Sequence, residues 1–282
     1  MDASLVNYNL NAAVVAGLGN AGLPEYGPFK RTASTSLLFA PFSNSYNSLQ
    51  VKLNRQFQQG LLITTSYTYG KGMGFQSGDD GGLTFYINQR RNYARNDFDR
   101  THTFVQSYVY ELPFGPGKKW VSSGWKSNVF GNWRVNGILT AMSGLPVTIG
   151  ASSGSLNAPG NTQTADQVAQ VQILKNIGSN GTWFSTSSFA QPTANGVFGN
   201  SGRNLFSGPG YFNLDFSLFK VFTYRERFNL EVRGEAFGVT NTPHFTLSQN
   251  NLTNGANFGR VTSTLGGDGG ARTMQLGMKL TF

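Results

Sequence analysis

Apolar and polar side chains alternate along much of the chain, most clearly at its C-terminus. Every second position there is apolar, namely Met274, Leu276, Met278, Leu280 and Phe282. A β-strand with one apolar face has this period of two. The same pattern predicts six earlier strands, in the stretches 49–57, 61–69, 101–112, 133–142, 212–218 and 228–236. We therefore expect an all-β chain of about seven to eight long strands with no convincing helix, the one weak helical candidate being 165–176.

The connections between these strands alternate strictly in length. Short or intermediate connections are expected at 59–60, 113–131 and 223–226, and long ones at 71–100, 144–210 and 240–271. Strands of this length suit a membrane, since a tilted transmembrane β-strand needs about 9 to 11 residues. Bacterial outer-membrane barrels have short periplasmic turns and long outer loops. The pattern predicts an antiparallel transmembrane β-barrel segment in the bacterial outer membrane, with its C-terminus in the periplasm.

The polar face of the strand 228–236 is the most informative polar set. It consists of Asn229, Glu231, Arg233 and Glu235. In a barrel the apolar face contacts lipid and the polar face lines the interior, so we expect these four side chains to face the lumen. They either contact a plug or a solute there or form a ladder of charge pairs between neighbouring strands.

A soluble β-sandwich is the alternative architecture for the same alternation, because it also gives each strand one apolar face. It leads to a different function, a secreted or surface-bound adhesin that binds glycans through aromatic, Asn-rich loops. Long strands and the strict alternation of long and short connections favour the barrel.

Composition removes several classes of protein. Among 282 residues there are no Cys and two His, which excludes disulfide scaffolds, thiolate zinc sites and iron–sulfur clusters and leaves little for an imidazole metal site. We expect no cofactor, no metal, no secretory signal and no membrane-spanning helix. Lys and Arg number 22 against 13 Asp and Glu, a net charge of +9 that favours anionic partners without identifying them.

One motif resembles a catalytic one. The stretch 150–154 fits the nucleophile-elbow pattern around Ser152, and Asp215 and His244 follow in the order of a Ser, Asp, His triad. The elbow requires a helix after the serine, whereas Leu156 is followed by Asn, Ala, Pro and Gly. We therefore expect no enzyme, and an esterase that uses Ser152 is only a third hypothesis.

A basic loop spans residues 90–100. Its cations are Arg90, Arg91, Arg95 and Arg100, interleaved with aromatic residues. These arginines either bind lipopolysaccharide phosphates through bidentate hydrogen bonds or form local ion pairs at a solvated loop base. No nucleic-acid-binding motif accompanies them, so no nucleic acid partner is expected. The pair Asp79-Asp80 between glycines is a weak calcium candidate.

A set of motifs occurs in a fixed order along the chain. They are 96–104 (NDFDRTHTF), 107–115 (SYVYELPFG), 131–133 (GNW), 143–146 (SGLP), 198–204 (FGNSGRN), 208–210 (GPG), 233–237 (RGEAF) and 241–245 (NTPHF). With them, residues 45–282 resemble the barrel of Oar-like TonB-dependent outer-membrane receptors. The segment 275–282 resembles the C-terminal assembly signal of outer-membrane proteins, which implies that Leu276, Met278, Leu280 and Phe282 are read by the barrel-assembly machinery.

The resemblance implies a 22-stranded barrel. It also implies an N-terminal plug, a preceding carboxypeptidase-regulatory-like domain and energy supplied through TonB. About seven strands make up a third of such a barrel, so we expect residues 45–282 to be its C-terminal part and residues 1–44 to be an outer-loop-like segment. The implied partners are the missing barrel strands and plug, TonB acting through the plug, and outer-membrane lipid with lipopolysaccharide. The expected function is transport of an unknown solute, and this part alone is expected to be inactive.

Overall fold

The computed structural model of the protein describes residues 26–30, 42–77, 83–85, 88–156, 162–178, 181–225, 228–266 and 270–282. Within these ranges seven long strands form one sheet: β1 (Ser45–Gln58), β2 (Leu61–Gly74), β3 (His102–Glu111), β4 (Trp133–Met142), β5 (Tyr211–Tyr224), β6 (Phe228–Phe237) and β7 (Thr273–Thr281). Each strand pairs antiparallel with the next one in the chain. The predicted antiparallel all-β fold with seven long strands is confirmed.

The pairing registers place the alternating residues of all seven strands on two common faces, because residues directly opposite each other share a face. One row across the sheet consists of Val51, Tyr67, Phe104, Ala141 and Phe212. A second row, Phe216, Ala236 and Met274, extends the same face to β7. Phe212 and Phe216 share this face because they are an even number of positions apart on β5. We call this side the apolar face and the other side the polar face.

The apolar face is exposed. Leu276 on β7 and Leu53 on β1, at opposite edges of the sheet, are 91% and 66% exposed. The β-sandwich alternative requires two sheets that cover each other's apolar faces, whereas these strands form a single sheet. In the described part of the chain, β1 and β7 are the edge strands and do not pair with each other, so the sheet is open.

Two turns at one end of the sheet follow the sequence prediction. Gln59 and Gly60 have φ angles of 55° and 81°, the left-handed pair that a tight two-residue hairpin requires. A second short link joins β5 to β6, and its first residue, Arg225, also has a positive φ of 51°. The intermediate connection between β3 and β4 contains a helix that the pattern did not predict.

Helices are few and short. Two α-helices, α1 (Tyr26–Phe29) and α2 (Gly124–Phe130), and three 3-10 segments, Gln89–Asn92, Thr186–Ser188 and Leu252–Asn257, lie in the described ranges. The weak helical prediction for 165–176 is wrong, because Asp166–Gln167 forms a short strand with Phe189–Ala190. None of the described helices has the length and apolar character to cross a membrane. The predicted outer-loop segment 1–44 lies largely outside the described residues.

The long connections 75–101, 143–210 and 238–272 all leave the same end of the sheet, as predicted. We call them together the loop cap. Its described short strands are Ala94–Arg95, Pro146–Val147, Gly150–Ala151, Gln163–Thr164, Asp166–Gln167, Phe189–Ala190, Phe206–Ser207, Phe245–Thr246 and Ser263–Thr264. The first of them pairs with β2 and thereby joins the cap to the sheet.

The buried apolar core lies in the loop cap and not in the sheet. Its members are Val147, Ile149, Ala151, Ala165, Trp183, Phe184, Phe189, Leu247, Phe258 and Val261. The fully buried ring of Phe184 lies at its centre, with ring centroids 5.6 Å from Phe189, 5.0 Å from Phe206 and 5.3 Å from Phe258. Because these residues come from two of the long connections, burying them holds the connections together.

Candidate functional site

Arg203 joins the first two long connections. Its side chain is only 7% exposed. The guanidinium donates hydrogen bonds to the carbonyl oxygens of Phe75 at 2.5 Å and Asn92 at 2.9 Å. It also donates to Ser77 Oγ and forms an ion pair with Asp97, each at 3.2 Å. The motif 198–204 is therefore a structural bridge across the loop cap.

Three arginines of the basic loop also link the first long connection to the second. Arg91 donates to the carbonyl oxygens of Gly199 and Ser201, Arg95 donates to Ser207 Oγ, and Arg100 donates to the carbonyl oxygen of Ser143 at 2.6 Å. Burial lowers the pKa of both Arg91 and Arg100, although an arginine stays charged at physiological pH. Three of the four arginines thus donate hydrogen bonds to the second long connection, whereas Arg90 is exposed.

A cavity of about 130 Å³ lies where the loop cap meets the sheet. All three long connections and the first residue of β5 line it: Asp97, Arg100, Leu145, Pro146, Val147, Gly208, Pro209, Gly210, Tyr211, His244, Phe245, Thr246, Leu247 and Leu265. Its wall combines apolar side chains with polar residues such as Asp97 and Arg100. The cavity has room for a group about the size of a benzene ring and is smaller than the usual small-molecule site of about 300–1,000 Å³.

The four polar residues of β6 all lie on the polar face. Glu235 accepts a hydrogen bond from Gln275 on β7, and Arg233 Nε lies 4.0 Å from Glu235 Oε2. At the other end of the strand, Asn229 Oδ1 accepts a hydrogen bond from Thr223 on β5 at 2.8 Å. Glu231 stands directly opposite Lys279 in the register. Glu235 and Asn229 thus make polar contacts with neighbouring strands, whereas the Arg233–Glu235 ion pair lies within β6. The ladder of cross-strand charge pairs and the lumen-facing orientation both stay predictions.

The three residues of the possible triad do not bond to one another among the described hydrogen bonds. Ser152 pairs through its backbone with the Gln191 side chain, in a turn with no helix behind it. Asp215 accepts from Gly238 N at 2.9 Å, and His244 Nε2 donates to the carbonyl oxygen of Phe212 at 3.0 Å. The Asp215 and His244 side chains thus bind backbone groups at the end of the sheet near the cap, and neither bonds to Ser152.

Three of the four predicted assembly residues lie on the edge strand β7, and Phe282 directly follows it. Leu276, Met278 and Leu280 project from the apolar face, and the terminal Phe282 is also exposed. The calcium candidate Asp79-Asp80 lies outside the described residues. Within the described ranges no group of three or more His, Asp or Glu side chains comes together as a metal site.

Sequence reasoning missed two polar residues with clear structural roles. Arg203 stands within a recognised motif, but its partners lie more than 100 positions earlier. Lys220 is buried at 2% exposure although its strand position places it on the apolar face. The signal for Lys220 was available, since a lone lysine interrupts the apolar alternation between Leu218 and Phe222.

Comparison with known proteins bears on the fold as a whole. A family model described as an outer membrane beta barrel domain matches residues 2–275. No curated protein and no solved structure matches the chain. The family match spans nearly the whole chain and confirms the predicted location in the bacterial outer membrane. By this match and by its antiparallel sheet of long strands, the chain belongs to the outer membrane beta barrel domain family.

Proposed function

We propose that residues 45–282 are the C-terminal part of the barrel of an Oar-like TonB-dependent receptor, which transports a solute across the outer membrane. The observation that carries this proposal is the loop cap, whose long connections leave one end of the sheet and fold around their own core. Outer loops that are ordered in this way suit solute capture. The ordered motifs support the same family, since 198–204 bridges the cap to the connection that contains 96–104.

Transport requires more of the protein than this sheet. An open sheet edge cannot remain unpaired in lipid, because the hydrocarbon offers no partner for its N–H and C=O groups. We therefore infer that further barrel strands pair with β1 and β7 and that a plug fills the interior. TonB would act on that plug to admit the solute held by the loop cap, and the polar face with Glu231 and Arg233 would line the path. By itself this part would not transport.

We also infer that the C-terminal residues direct insertion of the protein into the membrane. Leu276, Met278, Leu280 and Phe282 would be bound by the barrel-assembly machinery, and their exposure on an edge strand suits such recognition. Outer-membrane lipid would then cover the apolar face. Arg90, the exposed cation of the basic loop, is the remaining candidate among the four arginines for a lipopolysaccharide phosphate.

Photo-crosslinking in the producing bacterium tests the receptor proposal. TonB carrying a photo-crosslinker in its periplasmic domain is irradiated in living cells, and products are detected with an antibody against the loop cap. We expect an outer-membrane protein much heavier than 30.6 kDa, the mass of this chain, and a crosslink that disappears when TonB lacks its periplasmic domain. An assembled protein of about that mass with no TonB crosslink would contradict the proposal.

A further inference from the structure

The connection between β3 and β4 carries an exposed apolar cluster. Trp125 is 68% exposed, Phe130 is 53% exposed, and Trp120 and Val129 are each 49% exposed. No Asp or Glu occurs in 113–131, while Lys118, Lys119 and Lys126 do. Exposed tryptophans and phenylalanine next to lysines are typical of segments that lie in a membrane interface.

The turn around Trp120, which precedes α2, is tightly packed. Trp120 and Pro113 are joined by a backbone hydrogen bond of 3.0 Å, and Gly115 N donates to the Trp120 carbonyl oxygen at 3.0 Å. The rings of Phe114 and Trp120 lie 5.6 Å apart. Gly115 and Gly131 approach so closely that a Cβ on Gly131 would stand 2.7 Å from Gly115 Cα. A packed turn of this kind presents its apolar side chains at little conformational cost.

Helix α2 is attached to the apolar face of the sheet. Lys220 lies in the register row of Trp133 and Val232 on that face. Its ammonium donates to the carbonyl oxygens of Asn128 at 2.5 Å and Val129 at 2.8 Å, near the C-terminal end of α2. A cation there also complements the helix dipole. The helix therefore lies beside the strands on the side that contacts lipid in an outer-membrane barrel, at the end opposite the loop cap.

We propose that residues 118–130 insert into the phospholipid leaflet on the periplasmic side of the outer membrane. Trp125 and Phe130 enter the boundary between headgroups and acyl chains, and Lys119 and Lys126 contact anionic phospholipid headgroups. The end of α2 contacts the apolar face through Lys220 and Trp133, and the lysines of the connection complement an anionic surface. Each lysine contributes about fivefold to the affinity for such a surface. The proposal goes beyond solute transport and does not depend on TonB.

Site-directed spin labelling tests this insertion. The chain has no Cys, so Trp125→Cys provides one labelling site, with Leu53→Cys on the apolar face of β1 as the lipid-contacting reference and Ser153→Cys as the water-exposed reference in the loop cap. Labelled protein is measured in isolated outer membranes by its collisions with oxygen and with a water-soluble nickel chelate. We expect the oxygen-to-nickel ratio at 125 to approach that at 53 and to exceed that at 153 several-fold. A ratio at 125 equal to that at 153 would overturn the proposal and leave a periplasmic protein as the occupant of this surface.

A charge variant tests the headgroup contact. Lys119→Ala combined with Lys126→Ala should lower the ratio at the 125 label several-fold, whereas Lys175→Ala, an exposed lysine of the loop cap, should leave it unchanged. An equal ratio in all three proteins would refute the role of the lysines. Unchanged heat-dependent gel mobility verifies that each variant is assembled.

Discussion

Replacing Arg203 with alanine should detach the first long connection from the second. The substitution removes four hydrogen bonds and leaves the carbonyl oxygens of Phe75 and Asn92 without a charged donor. A hydrogen bond to a charged group contributes about 1.5–3 kcal/mol to stability. The ion pair adds little, because the Asp97 side chain is 62% exposed and solvent screens it. We expect a loss of about 3 kcal/mol in the free energy that holds 75–101 against 143–210.

Hydrogen exchange measures this loss directly. A change of about 3 kcal/mol corresponds to a roughly 100-fold fall in amide protection. The amides to follow belong to Asn96, which donates to the carbonyl oxygen of Gly72 on β2, and to Asp99, which donates to the carbonyl oxygen of Asn96. Both amides lie in the connection that Arg203 fastens. Exchange in the strands of the sheet should stay slow, because Arg203 lies outside them.

Two further variants make this experiment decisive. Arg90→Ala removes an exposed arginine from the same connection and should leave protection unchanged. Arg203→Lys keeps the charge but lacks the planar fork that reaches several acceptors at once, so its protection should be intermediate. Equal protection at Asn96 and Asp99 in Arg203→Ala and in the unsubstituted protein would refute the bridging role of Arg203.

Three other changes test the cap and the C-terminus. Gly144→Ala would place a Cβ 1.8 Å from the Gly208 carbonyl oxygen, so the free energy of opening the cap, measured by the same exchange assay, should fall by about 1–3 kcal/mol. Gly154→Ala is the control and should have no effect, because the nearest atom to its Cβ is 3.7 Å away. Phe184→Ala should destabilise the cap by about 3–5 kcal/mol and expose it to protease, while the protein keeps its heat-dependent gel mobility; a protease-resistant cap would contradict its central place in the core. Deleting Phe282 should strongly reduce the assembled protein in the outer membrane, with Phe282→Tyr as the aromatic control, and unchanged amounts would refute its role in assembly.

The strands could be predicted because their signal is local. Alternation in 274–282 or 228–236 is visible within one element, and the sheet merely aligns faces that each strand already defines. The tight hairpin at Gln59 and Gly60 is equally local, since its backbone conformation favours glycine. Connection lengths then fixed which loops share an end of the sheet.

The loop cap and helix α2 depend on distant partners and could not be predicted in the same way. The core residues Val147, Phe184 and Val261 follow no shared period, and only the folded chain brings them together. Helix α2 spans seven residues, too few to show a helical period, and the Lys220 side chain that binds its end is about 90 residues away. The basic loop shows the same limit, because its charge was evident but its carbonyl partners were not.

The separation of the buried core from the sheet means that two solvents govern the stability of this chain. Water drives the loop cap to fold through ordinary burial of apolar area, and urea should weaken it as it weakens a soluble domain. The sheet buries its apolar side chains only in hydrocarbon, so bilayer thickness and detergent choice set its stability. A single melting temperature would therefore average two unrelated transitions, and each half of the molecule needs its own denaturant to be measured.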